Sequence, residues 1–244
     1  MNNLQATLLF PVRDARARKQ FLIASLIILA GTIVPLAPAL IVMGYGAKIM
    51  RQVIDEGREP SMPEWQGIDW SDLLKEGFRL WAVRIIYALP IIILMGCGLA
   101  FMFASAGLFS ASSDNNPMSI LGGFALLIGT CFFLLFGLLS LPLGIITGAA
   151  EAHAVTKQSF QASLNFKEWG PIFRKSLTAF LLAYVLIIAA STVITLAIQI
   201  AMITIVLICV FPFLMMGYTT YVSLLMSALF AQAYASGRSA LQAE

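Results

Sequence analysis

No charged side chain occurs between Leu177 and Ser236. As one helix at about 1.5 Å per residue, that stretch would be roughly 90 Å long, against a hydrocarbon core of about 30 Å. A tract this long and this apolar has to cross a bilayer more than once. We place a turn near 203–210, ahead of Pro212, which divides it into spans at 177–203 and 207–236. Two further apolar runs, 78–106 and 119–150, are also long enough to cross.

Composition agrees with this reading. Of the 244 residues, 60% are hydrophobic and only 11% charged, whereas a soluble domain carries about 25% charged residues. Mean hydropathy is +0.90. The class is therefore all-α: a polytopic transmembrane helical bundle forming a single integral membrane domain over 1–244. Residues 20–47 are too long for a signal peptide and lack a small-residue cleavage site, so no cleaved segment is expected.

The N-terminal apolar run is interrupted by Gly31, Pro35 and Pro38, and proline breaks the helical hydrogen-bond ladder. It is either one kinked span or a short hairpin over 14–56 made of helices at about 14–33 and 36–56. Charge placement favours the hairpin. Lys and Arg concentrate in the segment around Arg13–Lys19, in polar arms at 48–77 and 151–176, and at Arg238, while 107–118 has none. The positive-inside bias puts all four basic regions on the cytoplasmic face, so 14–56 must enter and leave on one side. Both termini are then cytoplasmic.

In the first arm Gly57 suits a helix C-terminus, Pro60 and Pro63 make an extended break, and Asp69 suits an N-cap. Trp65, Trp70 and Trp81 suit the headgroup level, where amphipathic rings collect. Trp169-Gly-Pro171 marks the corresponding re-entry in the second arm, and both arms read as amphipathic and interfacial. Ser140, Gly144 and Gly148 recur every fourth residue, a pattern that lets helices approach closely, and Pro142 should kink that span. Pro35-Leu36 through Glu64-Trp65 is weakly echoed by Pro142-Leu143 through Glu168-Trp169, an internal repeat in order of features.

Signatures of chemistry are sparse. Cys97, Cys131 and Cys209 are far apart inside apolar runs, and the one histidine, His153, follows Glu151. Metal sites need three or four convergent ligands, and no nucleotide or hydrolase motif occurs. No catalytic residue, metal or cofactor is assigned, and no nucleic-acid partner is expected. Candidate functional or partner-contact residues are Gly44 and Tyr45, Glu64 and Trp65, Arg84, Glu151 and His153, and a polar stripe of Ser191, Thr195 and Gln199 along one span. The stripe could line a solute path, although such residues more often bond across helices.

Phe10-Pro-Val-Arg-Asp14, Gly44-Tyr45 with Lys48 and Arg51, Gly57, Met62-Pro-Glu-Trp65, Leu73-Leu74, Glu76-Gly77 and Tyr87-Ala-Leu-Pro90 follow one another in a set order. This run from Phe10 to Pro90 resembles an uncharacterised prokaryotic membrane-protein family, domain-of-unknown-function family 4013. The resemblance implies a polytopic fold with internal repeats, in a prokaryotic inner membrane, and brings no activity. The expected role is a non-enzymatic accessory or scaffold subunit, in contact with the bilayer and with partner subunits or further copies through small-residue helix faces. The alternative is a small transporter of solute, ion or lipid using a polar path at the repeat interface, and an intramembrane enzyme comes third. One topological outcome is checkable at once: single cysteines replacing Ser61 and Ser112 should react with an impermeant thiol reagent from opposite faces of the membrane, and same-face labelling would refute the hairpin.

Overall fold

The computed structural model describes residues 4–34, 36–110, 117–202 and 210–243, and every regular element among them is helical. In chain order these are α1 (Leu4–Leu9), α2 (Ala15–Ala30), α3 (Ala37–Asp55), α4 (Trp70–Ser110), α5 (Pro117–Lys157), α6 (Phe160–Leu164), α7 (Phe166–Lys175), α8 (Leu177–Met202) and α9 (Phe211–Gln242). Helices α4, α5, α8 and α9 are long and apolar enough to cross a membrane. The all-α expectation holds. Pro35, residues 111–116 of the expected loop at 107–118, nearly all of the expected turn near 203–210 and Cys209 lie outside the described residues, and the two ends of that loop continue α4 and begin α5.

The N-terminal apolar run forms two helices, α2 and α3, which pack against each other. Asp14 caps the first by accepting the Ala17 amide at 2.7 Å. Past the end of α3, Gly57 has φ +63, the left-handed turn that ends helices most cheaply at glycine. Asp69 accepts the Ser71 amide at 2.8 Å and so caps α4. Bonds from the Ser71 backbone and side chain hold the Asp69 carboxyl below the usual carboxylate range. The cap therefore stays charged at neutral pH and weakens only as pH falls through that lowered pKa. The helix started here continues through Pro90 without interruption, so the entry segment and the span are one element. α5 likewise continues through Pro142.

Two compact units emerge, residues 1–83 with 147–244, and residues 84–146. In the first, the C-terminal half of α9 is the hub. Leu224, Leu225, Ala228, Leu229, Phe230, Ala231 and Ala233 are all but inaccessible to solvent, and α9 packs against α1, α2, α3, α7 and α8. Helix α1 is tied in by Tyr221 Oη donating to the Leu8 carbonyl at 3.0 Å and by Gln232 Nε2 donating to Thr7 Oγ1 at 3.0 Å. Gly148 faces the Phe230 ring so closely that a Cβ would come within 2.6 Å of it.

The tightest approach joins α3 to the start of α4. A Cβ on Gly44 would collide with the Leu73 carbonyl, and one on Gly77 with the Leu40 carbonyl. Beside this crossing Glu76 accepts from Arg51 at 2.9 Å and Arg79 at 2.8 Å. In the second unit, Gly98 faces Phe132 and Phe133, Gly129 faces Met102, and Gly122 faces Phe109. Numbers rise on one helix as they fall on the other, so the two stretches run antiparallel. Cys97 here is half-buried and Cys131 exposed.

These contacts separate two kinds of glycine. Gly44→Ala or Gly77→Ala forces backbone apart and should destabilise by about 1–3 kcal/mol or more, as overpacking does. Gly96→Ala, where a Cβ meets nothing within 4 Å, should be neutral or stabilise through helix propensity. Thermal melts of the purified variants in detergent check both.

Candidate functional site

Two polar constellations lie in the first unit. The first is built around Tyr45, which the close packing at Gly44 holds against the arm. Its ring stacks on Trp65 with centroids 4.3 Å apart and planes 7° from parallel, and its hydroxyl donates to the Pro63 carbonyl. Trp65 Nε1 donates to the Gln20 carbonyl at 3.0 Å, and the Trp65 amide to Gln20 Oε1 at 3.3 Å. The indole is 7% exposed. This corrects the expectation of a headgroup-level ring: Trp65 locks the arm onto α2 and α3. Only Trp70 of that set is substantially exposed, at 48%. Glu64 pairs with Arg16 at 2.8 Å with both side chains largely in solvent, an arrangement worth at most about 1 kcal/mol. Trp169 is buried too, donating from Nε1 to the Ser163 carbonyl at 2.9 Å.

The second constellation surrounds His153. The last turns of α5 are dominated by small residues, and Ala149, Ala150, Glu151, Ala152, His153 and Ala154 are all buried there. A buried imidazole needs partners for both nitrogens. Nδ1 lies 2.6 Å from Tyr234 Oη on α9, and Nε2 lies 3.3 Å from Glu168 Oε2 on α7. An ionised carboxylate can only accept, so Nε2 carries the proton. In the neutral ring Nδ1 then accepts from the Tyr234 hydroxyl. The other Glu168 oxygen accepts from Asn165 Nδ2 at 2.6 Å.

A cavity of about 580 Å³ opens beside this chain of bonds, lined by Asp55, His153, Thr156, Lys157, Glu168, Ile172, Tyr234 and Arg238. The ion pair of Arg238 with Asp55, at 3.2 Å, joins the end of α9 to the end of α3. Four helices thus contribute charged or hydrogen-bonding groups to one space. The Tyr–His–Glu series can hold a proton between α9 and α7. The lining has one hydroxyl outside that series, on Thr156, and it is committed to the Ala152 carbonyl at 2.9 Å. Among the described residues no three His, Cys, Asp or Glu side chains converge as metal ligands would.

Of the residues singled out from sequence, Tyr45 and Trp65 are brought together beside Gly44, and His153 takes its place at the cavity. Glu151 is buried two residues before His153 and is not among the residues that line the cavity. Arg84 is half-buried on α4. Ser191 and Thr195 are half-buried and Gln199 exposed along α8, and none of the three borders the cavity. Asp55, Tyr234 and Arg238 carry no local signal of their roles, since their partners stand 81 or 183 positions away.

The pairing at His153 is measurable as an interaction energy. His153→Phe and Tyr234→Phe should each destabilise by about 1–3 kcal/mol, because each strands a buried polar partner. Their double-mutant cycle should return a coupling of roughly 0.5–3 kcal/mol. Additive unfolding energies in detergent would show that the two groups do not bond.

Searches of curated proteins and of solved structures found no match. A family model described as a protein of unknown function, DUF4013, matches residues 26–203. That match begins inside α2, after the whole of the basic N-terminal motif, and takes in α3 through α8, including His153 and Glu168. Covering well over half of the chain, it places this protein in the DUF4013 family of membrane proteins.

Proposed function

We propose that this chain is a non-catalytic subunit of a larger membrane assembly, acting as an accessory or scaffold protein. On this reading it sits in a prokaryotic cytoplasmic membrane with both termini and both arms on the cytoplasmic side, as the distribution of Lys and Arg favours. The observation that carries the proposal is the state of the span glycines. Gly96, Gly123 and Gly137 would each accept a Cβ into open space, with nothing within 4 Å. Glycine in a helix interior costs up to about 1 kcal/mol against alanine, and no close contact with the described residues accounts for glycine at these three positions. In membranes such residues recur where a second helix approaches closely. The most apolar windows of α4 and α5 are each only 6% buried within the chain, against 44% for α9.

A second reading, a small transporter, draws support from the cavity among α3, α5, α7 and α9. It draws none from Ser191, Thr195 and Gln199, which lie apart from that cavity.

Mild-detergent extraction followed by affinity purification tests the first reading. The wild type should carry a stoichiometric partner subunit or a second copy. Gly96→Leu with Gly123→Leu should lose it while melting like the wild type once isolated. A chain that purifies as a lone monomer, and moves a solute when reconstituted alone, would replace the accessory reading with the transporter one.

A further inference from the structure

Helix α7 is held by one of its faces. Trp169 and Gly170 are buried, the indole is fixed to the Ser163 carbonyl, and Glu168 is turned onto His153 and Asn165. Gly237 of α9 sits so close that a Cβ there would strike the Ile172 carbonyl and Ser176. What remains outward is cationic. Lys167 and Arg174 are seven residues apart, within about 20° of each other around a helix of 3.6 residues per turn, and both are exposed. Neither forms an ion pair with the described residues, and the only acid on the helix is already engaged by His153 and Asn165. Lys175 adds a third exposed cation.

Apolar side chains flank this ridge in the open: Leu164 is 49%, Phe166 52% and Leu177 43% exposed. Chain continuity fixes its depth, because Ser176 alone separates α7 from α8. Arg174 stands three residues before Leu177, about 5 Å at 1.5 Å per residue. That is the thickness of one headgroup layer, since the whole bilayer exceeds its ~30 Å core by only about 10–15 Å.

We propose that the outer face of α7 is a binding surface for acidic phospholipid, with Lys167 and Arg174 on the headgroup phosphates and Phe166 and Leu177 at the acyl boundary. A phosphate accepts from both cations, and the flanking apolar groups supply the contact that an interfacial helix needs. A soluble acidic protein would find the same charges but would leave Phe166 and Leu177 against water. The pinned underside matters because the ridge is ordered before lipid arrives.

Native mass spectrometry of the full chain in neutral detergent, with phosphatidylglycerol or phosphatidylcholine added, tests this. Phosphatidylglycerol should be retained in preference, and the preference should fall with salt. Lys167→Gln with Arg174→Gln should weaken it by roughly five-fold per charge removed, as expected for a cation near a lipid surface. Both substitutions are on the surface, so the variant should melt like the wild type in phosphatidylcholine. Equal retention of the two lipids, or undiminished phosphatidylglycerol retention by the variant, would overturn the proposal.

Discussion

Where α3 crosses the start of α4, neither Gly44 nor Gly77 can accept even a methyl group. Much of the first unit follows from that approach. It sets Tyr45, one residue past Gly44, where it can stack on Trp65, and Trp65 in turn reaches back to both the carbonyl and the side chain of Gln20. An arm that would otherwise be a proline-broken loop is thereby stitched to α2 and α3. Charge follows the same geometry, because Glu76 lies where Arg51 of α3 and Arg79 of its own helix both meet it.

Helix α9 organises what the crossing does not. It is assigned as a span, yet the C-terminal half is the inside of the first unit and carries Tyr234 and Arg238 out to the cavity. A helix that leaves the apolar tract and still buries its surface needs polar partners at that end. Tyr234 finds His153 and Arg238 finds Asp55. The arms supply that collar, which explains why small residues cluster at the end of α5.

Hydropathy was enough to read the four long apolar helices, though not the short α1 and α6. The charge-free tract after Leu177, the basic clusters and the prolines located α8, α9 and the division into α2 and α3, because these are local properties of the chain. Asp69 and Gly57 were legible for the same reason: a cap acts on its own neighbours. Trp65 was misread because an amphipathic ring has the same local signature whether it meets headgroups or a buried carbonyl, and only the fold brings Gln20 to it. The cavity was half legible. His153 stood out as the only histidine, whereas Tyr234 and Asp55 reach the cavity only through pairings with residues 81 and 183 positions away.

The position of α9 in the chain has a consequence for synthesis. Its buried half covers α2 and α3, yet about 180 residues separate Asp55 from Tyr234. At 5–20 residues per second on the ribosome, the faces of α2 and α3 wait roughly 10–40 seconds for their cover. During that interval Tyr45, Ile49 and Ala24 have no final neighbour on that side. The face that α2 and α3 turn toward α9 is therefore completed last, after every other long helix has been made.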